Sequence, residues 1–259
     1  MIVFASESPR ARAVAEVLAA RSLSAALVDP EDAPLCLVLG GDGTMLRAIA
    51  RHGSAPVYLG VNCGRLGFLM NDLPGAPETV ADALVDALVR GRWEAPAFPR
   101  LAMETTDAEG QVRAANALND VYVERELGQT CHLRVTVDGV EVVERLVCDG
   151  IIVATALGST AYTFSAGGVA AHPRLRALHL TAICPHSPRL PPLLLPETSV
   201  VEVEVLDAER RPARAVADGV QFPGTRRVRV HGGADTVRIG FLEGHDFVGT
   251  LVRKVLRGG

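Results

Sequence analysis

Lysine is almost missing from this chain. Lys254 is the one lysine among 26 lysine and arginine residues, and it stands at the C-terminal end. Mechanisms built on a phosphate-loop lysine or a Schiff-base lysine are therefore nearly excluded. Negative charge on a phosphate has to be met by backbone amides, arginines or a metal ion. Long apolar runs are missing too. No stretch of eighteen apolar residues occurs, and no charged-then-apolar leader opens the chain, so no membrane partner is expected. The five cysteines (Cys36, Cys63, Cys131, Cys148 and Cys184) are odd in number and never form Cys-x-x-Cys. That speaks against a disulfide framework or a zinc knuckle and for a reducing, cytoplasmic setting. The seven histidines show no His-x-x-x-His or His-Glu-x-x-His spacing, so no protein-built metal site is expected. A net charge of −4 leaves no basic footprint for nucleic acid.

What is present is apolar and long enough for a sizeable core: 259 residues, 48% of them hydrophobic. The sequence is organised around Gly40-Gly41-Asp42-Gly43-Thr44. Leu35 to Leu39 before it reads as a buried parallel strand, and Met45 to His52 after it as a helix. The pentapeptide is thus a strand-to-helix turn. Its glycines let a ligand approach the backbone, and amides at a helix start favour a phosphate. A carboxylate among those amides suits a hydroxyl that attacks a phosphoryl group. A plain tight turn with Asp42 capping the helix uses the same residues. No Gly-Lys-Ser/Thr follows, so this is not a Walker loop, and Gly-x-Gly-x-x-Gly does not occur there.

Around the turn, strand and helix signals alternate. Met1 to Ala5 reads as a strand and Pro9 to Arg21 as a helix behind Ser8-Pro9. Leu27-Val28 reads as a brief strand, Asp29 to Pro34 as an acidic loop, Pro56 to Val61 as a strand and Glu78 to Arg90 as a helix. This predicts an open parallel α/β sheet. Gly60 to Leu69, with three glycines and Asn62 at a strand end, reads as a ligand-facing loop.

From Trp93 two-residue alternation takes over. Phe98 to Thr105, Gln111 to Glu124, His132 to Val137, Val140 to Val147, Val200 to Leu206, Ala213 to Ala217, Arg226 to His231 and Val237 to Phe241 read as strands. Asp138-Gly139 is a hairpin signal. The prediction is an α/β domain over 1–96, to which a last helix in 246–259 returns, and a β-rich, sandwich-like domain over 97–245. Asn119-Asp120 sits inside a β run, so one of the two side chains faces inward unless the strand bends. Ile151 to Val153 runs into a hydroxyl-rich stretch, Gly158-Ser159-Thr160-Ala161-Tyr162-Thr163-Phe164-Ser165, in which Tyr162 offers a flat face for a base.

The Gly-Gly-Asp-Gly-Thr turn resembles that of the kinase superfamily holding NAD kinases, diacylglycerol-type lipid kinases and 6-phosphofructokinases. The Gly60 to Leu69 loop, Asn119-Asp120, the run from Asp149 to Gly168 and Asp218-Gly219 resemble segments of NAD kinases in particular. Lipid kinases, the rival reading, lack the long run. A nucleotide sensor on a dead kinase scaffold is a third reading, and the retained Asp42 speaks against it. The NAD kinase resemblance implies ATP-dependent phosphorylation of NAD with Mg²⁺, polyphosphate being an alternative donor, and an assembly of two or four copies. It implies that Asp42 addresses the 2′-hydroxyl of the adenosine ribose while Gly41, Gly43 and Thr44 lie along the phosphates. Asn62, Asn119, Asp120, Asp149, Thr160, Ala161, Tyr162, Ser165 and Asp218 are the implied NAD contacts. Asp149 is expected at the nicotinamide end and can reach a neighbouring subunit's site. Three positions depart from the family pattern: Ala154 for Ser, Ala156 for Pro, and Leu157 for Thr or Ser. Leu157 is expected to lay apolar surface against the adenine.

Overall fold

The computed structural model describes residues 2–21, 34–64 and 67–253. The chain divides into two compact units, Met1–Phe98 with Thr236–Gly259, and Pro99–Asp235.

The first unit is a parallel α/β sheet. Strand β1 (Ile2–Ala5) leads to helix α1 (Pro9–Ala20), which Ser8 caps by accepting the Ala11 amide at 3.2 Å. Ala11, Val14 and Leu18 are its buried face. The expected strand at Leu27-Val28 lies outside the described residues, as does most of the acidic loop. Strands β2 (Leu35–Gly40) and β3 (Val57–Asn62) are buried along their whole length, as strands covered on both faces must be. Between them runs α2 (Asp42–His52), and after them α3 (Pro77–Val89). β1 pairs with β2 and β2 with β3, all parallel, and α1 and α3 contribute to one core with these strands. Asn71 stitches the sheet: its amide donates to the carbonyls of Gly60 and Gly240, and its oxygen accepts the Leu242 amide. Strand β4 is only Trp93–Glu94.

The second unit is β-rich. Its strands are the larger part of β5 (Ala97–Asp107), then β6 (Val112–Ala117), β7 (Asp120–Arg125), β8 (Cys131–Val137), β9 (Val140–Cys148) and β10 (Gly150–Thr155). After a 3₁₀ turn and the four-residue helix α4 (Tyr162–Ser165) come β11 (Ala177–Ile183), β12 (Leu193–Pro196), β13 (Val200–Leu206), β14 (Ala213–Ala217) and β15 (Val220–Leu242). β14, β7, β10, β11 and β12 form one antiparallel row. β9, β8 and β13 form another. β15 pairs with β14 up to Thr225 and with β13 from Arg227, so it joins the two rows. Leu133, Val135, Ile151, Val153, Val203 and Val228, from both rows, meet in one core.

Four details differ from the sequence reading. Gln111 to Glu124 is two strands, broken at Leu118-Asn119. Arg226 to His231 and Val237 to Phe241 are parts of the single strand β15. β11 and β12 were not foreseen, because His179 and Thr181 interrupt the apolar run of β11 and β12 is only four residues ending in proline. The returning segment begins at Thr236, where the end of β15 pairs parallel with β3, and not at Asp246. The last helix is described as α5 (Phe247–Leu251), with Asp246 capping it and Phe247 set 5.6 Å from Phe68 ring to ring. Among the described residues no helix is long and apolar enough to cross a membrane.

Candidate active site

In the first unit the Gly-Gly-Asp-Gly-Thr turn joins β2 to α2. Gly41 is the helix cap and Asp42 the first helical residue, three positions before the expected start. Asp42 does not hang free at the helix end. Its Oδ2 accepts the Phe68 amide at 2.9 Å and its Oδ1 the Leu69 amide at 3.0 Å. Gly67 lies so close that a Cβ there would collide with Asp42 Oδ1. The glycine-rich loop after β3 therefore fixes the carboxylate in position. Asn62 ends β3 opposite Gly40, is 6% exposed, and accepts the Gly64 amide at 3.1 Å. Asn62 is thus part of the same loop.

Thr44 is 4% exposed, with its hydroxyl 3.5 Å from the Gly41 amide, and Arg47 donates to that hydroxyl at 3.1 Å. Gly43 and Arg47 are exposed, and a guanidinium nitrogen of Arg47 stands 3.8 Å from where a Gly43 Cβ would be. Arg47 was not singled out from the sequence. The signal was there: it lies one turn after Thr44, in a chain where arginine is nearly the only cation.

In the second unit the strand break at Leu118-Asn119 has a clear cause. Asp218 and Gly219 form the two-residue turn between β14 and β15, with φ of 44° and 88°. The Asp218 carboxylate reaches across and accepts the amides of Leu118, Asn119 and Asp120 at 2.6, 3.0 and 3.3 Å. Those amides are spent on a carboxylate and not on a ladder, so the strand ends there. The loop after β10 grips the same break from the other side. The Thr155 hydroxyl donates to the Leu118 carbonyl at 2.7 Å and accepts the Gly158 amide at 3.0 Å. Gly158 packs so tightly that a Cβ would collide with the Asn119 carbonyl.

Asp120 is 6% exposed and faces the same side of the sheet as Tyr122 and Ala154. Burial pushes its carboxyl up to about 7, and the negative charge of Asp218 adds to the shift. Burial also raises the Asp218 carboxyl, and its three amides pull the other way. Tyr162 meets Tyr122 edge-on at 5.1 Å. Thr160, Ala161 and Tyr162 are half-buried and Ser165 is exposed. Leu157 opens the 3₁₀ turn at 5% exposure, so packing in the interior accounts for a leucine there without a base.

Asp149 is not beside Asn119 and Asp120. Ala154 is the β10 partner of Asp120, and Asp149 precedes the other end of β10, about 16 Å along the strand. There it pairs with Arg125, which the sequence reading passed over. The structure thus brings Gly41, Asp42, Gly43, Thr44 and Asn62 together in one unit. It brings Asn119, Asp120 and Asp218 together in the other, fastened to the loop that leads to Thr160 through Ser165, and sets Asp149 apart.

A fixed carboxylate at a glycine-rich helix start, on a parallel sheet followed by a β-rich unit, defines a kinase of the Gly-Gly-Asp-Gly-Thr class. Within that class the chain belongs to the ATP-NAD kinase family. Residues 7–92 match the model of the ATP-NAD kinase N-terminal domain, and residues 118–238 that of the C-terminal domain. The NAD kinase of Caulobacter vibrioides is 38% identical over 228 residues, covering 87% of this chain and 83% of that one. The NAD kinase of Rickettsia bellii is 34% identical over 236 residues, covering 89% and 88%. Among solved structures, an NAD kinase from Archaeoglobus fulgidus in complex with ATP superposes with a TM-score of 0.75 at 27% identity, covering 100% of this chain and 99% of that one. Yeast NADH kinase complexed with NADH shares the fold, with a TM-score of 0.82 at 21% identity over 100% of this chain and 88% of that one.

Proposed function

We infer that this chain transfers the terminal phosphoryl group of ATP to the 2′-hydroxyl of the adenosine ribose of NAD, giving NADP and ADP. The observation that carries this reading is the Asp42 carboxylate, fixed by two backbone amides at the start of α2. The bond from the terminal phosphorus to its bridging oxygen breaks, a bond to the 2′-oxygen forms, and the hydroxyl proton leaves. Asp42 orients that hydroxyl and takes the proton. Gly41 and Gly43 let phosphates approach the backbone, Thr44 supports the turn from beneath, and Arg47 supplies a cation that lysine does not. Among the described residues no three His, Cys, Asp or Glu side chains gather as a metal cage. Asp42 would be the carboxylate nearest a Mg²⁺ ion carried mainly by the ATP phosphates, and such an ion would neutralise phosphate charge.

Asn119 and Asp120 accept and donate at the dinucleotide, and Asp218 holds their backbone. Thr160, Ala161, Tyr162 and Ser165 form the adenosine pocket, and Asn62 shapes the loop beside Asp42. Asp149 takes the nicotinamide end, and its distance from Asp120 along β10 favours service to a neighbouring copy in a dimer or tetramer. The test is to incubate the purified chain with Mg²⁺ and each pairing of NAD, NADH or diacylglycerol with ATP or polyphosphate, reading NADP(H) and phosphorylated lipid. NADP from NAD and ATP is the expected product. No NADP, with phosphate transferred to diacylglycerol instead, overturns the reading in favour of a lipid kinase. Mixing Asp42→Ala with Asp149→Ala chains under subunit exchange is expected to restore part of the activity, and no recovery puts Asp149 outside a neighbour's site.

A further inference from the structure

Arg125 closes β7, Asp149 stands just before β10, and the two are tied twice. The Arg125 amide donates to the Asp149 carbonyl at 3.0 Å, and Arg125 Nε lies 2.8 Å from Asp149 Oδ1. The far side of the guanidinium is braced as well, Nη1 donating to the Leu127 carbonyl at 2.7 Å. The Asp149 amide in turn donates to the Ile183 carbonyl at 3.0 Å. The carboxylate is therefore held at one oxygen by a donor that is itself braced at Nη1. The two side chains are 36% and 29% exposed, so their pairing contributes little to stability. What the arrangement fixes is direction. The neighbouring cation, Arg214, is committed to Glu124 at 2.7 Å.

We propose that Arg125 is the positioning residue for Asp149, and that the pair selects the carboxamide form of the dinucleotide over its nicotinic-acid analogue. This rests on the placing of Asp149 at the nicotinamide end. A carboxylate only accepts hydrogen bonds. A carboxamide offers it two N–H donors, whereas a nicotinic-acid carboxylate offers none and brings like charge. An open arginine fork would favour the acid, because guanidinium binds carboxylate on two nitrogens. Here Nε is engaged by Asp149 and one N–H of Nη1 by Leu127, and the Asp149 carboxylate beside the remaining N–H groups offsets the cation, so the pair presents an acceptor with little net charge to the ligand. Removing Asp149 releases the fork and turns the selection toward the acid.

The experiment measures kcat and KM with NAD and with nicotinic acid adenine dinucleotide. It compares the full chain with Arg125→Met, Arg125→Lys, Asp149→Ala and the Arg125→Met/Asp149→Ala double variant, each with its melting temperature. Arg125→Met is expected to raise KM for NAD about tenfold while kcat stays within about threefold, because a binding group loses its aim and the reacting groups do not. Arg125→Lys recovers part of the loss with one bond in place of the braced fork. Asp149→Ala moves the ratio of kcat/KM values toward the acid by about tenfold or more, and the double variant loses that shift. Wild-type KM in Arg125→Met, alongside a clear loss in Asp149→Ala, overturns the role of Arg125 and leaves Asp149 in place. A shift toward the acid that persists in the double variant overturns it as well. Unchanged kinetics with both dinucleotides in Asp149→Ala overturn the placing of Asp149 and this inference with it. If Arg125→Met melts well below wild type, Arg125→Lys carries the comparison, and a Lys variant with the full Met defect in KM overturns the proposal.

Discussion

The Asp42 carboxylate holds the backbone amide of Phe68 at 2.9 Å across 26 residues of chain. With the Leu69 amide on the other oxygen, the helix start and the glycine-rich loop become one rigid piece. A base that has to meet a ribose hydroxyl gains from being held this way, because orientation contributes as much as basicity. It also means that the Asp42 carboxylate and the local fold are not separable.

Asp42→Asn therefore has two expected effects. Losing the basic oxygen lowers kcat about 10²–10⁴-fold. The new amide group also turns an N–H toward the Phe68 or Leu69 amide, which leaves that donor without an acceptor and costs roughly 1–3 kcal/mol. Urea unfolding and kcat measured on the same preparation separate the two. A variant that is destabilised yet within about threefold of wild-type kcat makes Asp42 a structural clamp and not a base.

Asp120 makes stability depend on pH. Its carboxyl is raised to about 7 by burial and by the charge of Asp218. The folded chain therefore keeps a proton that the unfolded chain gives up near the ordinary carboxylate value. The resulting stabilisation is complete in acid and is lost as pH rises through about 7. Asp120→Asn removes this dependence. Between pH 5 and pH 8 wild type is expected to lose roughly 2–3 kcal/mol relative to the variant in chemical denaturation. A gap between the two proteins that does not change with pH contradicts this.

Leu157 invites a similar separation. At 5% exposure it is packed in the interior at the start of the 3₁₀ turn. Leu157→Thr deletes apolar volume and buries a hydroxyl, a loss of roughly 2–4 kcal/mol. KM for NAD is expected to stay within about threefold once the protein is folded. A fully stable variant whose preference between NAD and its hypoxanthine analogue has changed restores the leucine to the adenine pocket.

How far the sequence could be read varied with the kind of signal. The β2–turn–α2 unit was legible because a buried apolar run, three glycines and a helical period mark it locally. Asp138-Gly139 was legible as a hairpin for the same reason, and its φ values of 51° and 79° are those of the tight turn such pairs form. The break at Leu118-Asn119 was not legible, because its cause is the carboxylate of Asp218, about a hundred residues on. β11 escaped because the buried His179 and Thr181 interrupt its apolar run, and β12 because it is four residues long and its half-exposed leucines do not alternate with polar residues. The candidate site residues stand out as motifs, but the side chains and amides that hold them do not. Nothing near Asp42 in sequence points to Phe68 and Leu69, and nothing near Asp149 points to Arg125. Leu157 was read as a ligand contact because a departure from a pattern at a loop draws attention, while burial cannot be seen from one position.

Gly41 offers the cleanest test of phosphate approach. The glycines of this region are small for different reasons. Gly40 has no room because Thr44 packs against it, and Gly67 has none because Asp42 does. A Cβ at Gly41 meets nothing within 4 Å, and its φ of −129° is one that any residue adopts. Alanine is a poorer helix cap than glycine, a penalty of up to about 1 kcal/mol. It also restricts the unfolded chain, a gain of about 0.4–1 kcal/mol. The two nearly cancel, so Gly41→Ala is expected to fold and melt like wild type. A phosphate that runs along the amides of the turn then meets a methyl group where it needs contact. The expected result is an increase in KM for ATP of about tenfold or more, with KM for NAD changed far less, since the methyl stands at the phosphate path. An equal rise in both constants moves the obstruction to the shared reaction centre. Wild-type kinetics with both substrates mean that the phosphates do not pass over Gly41, and the anion site has to be sought at Gly43 and Arg47.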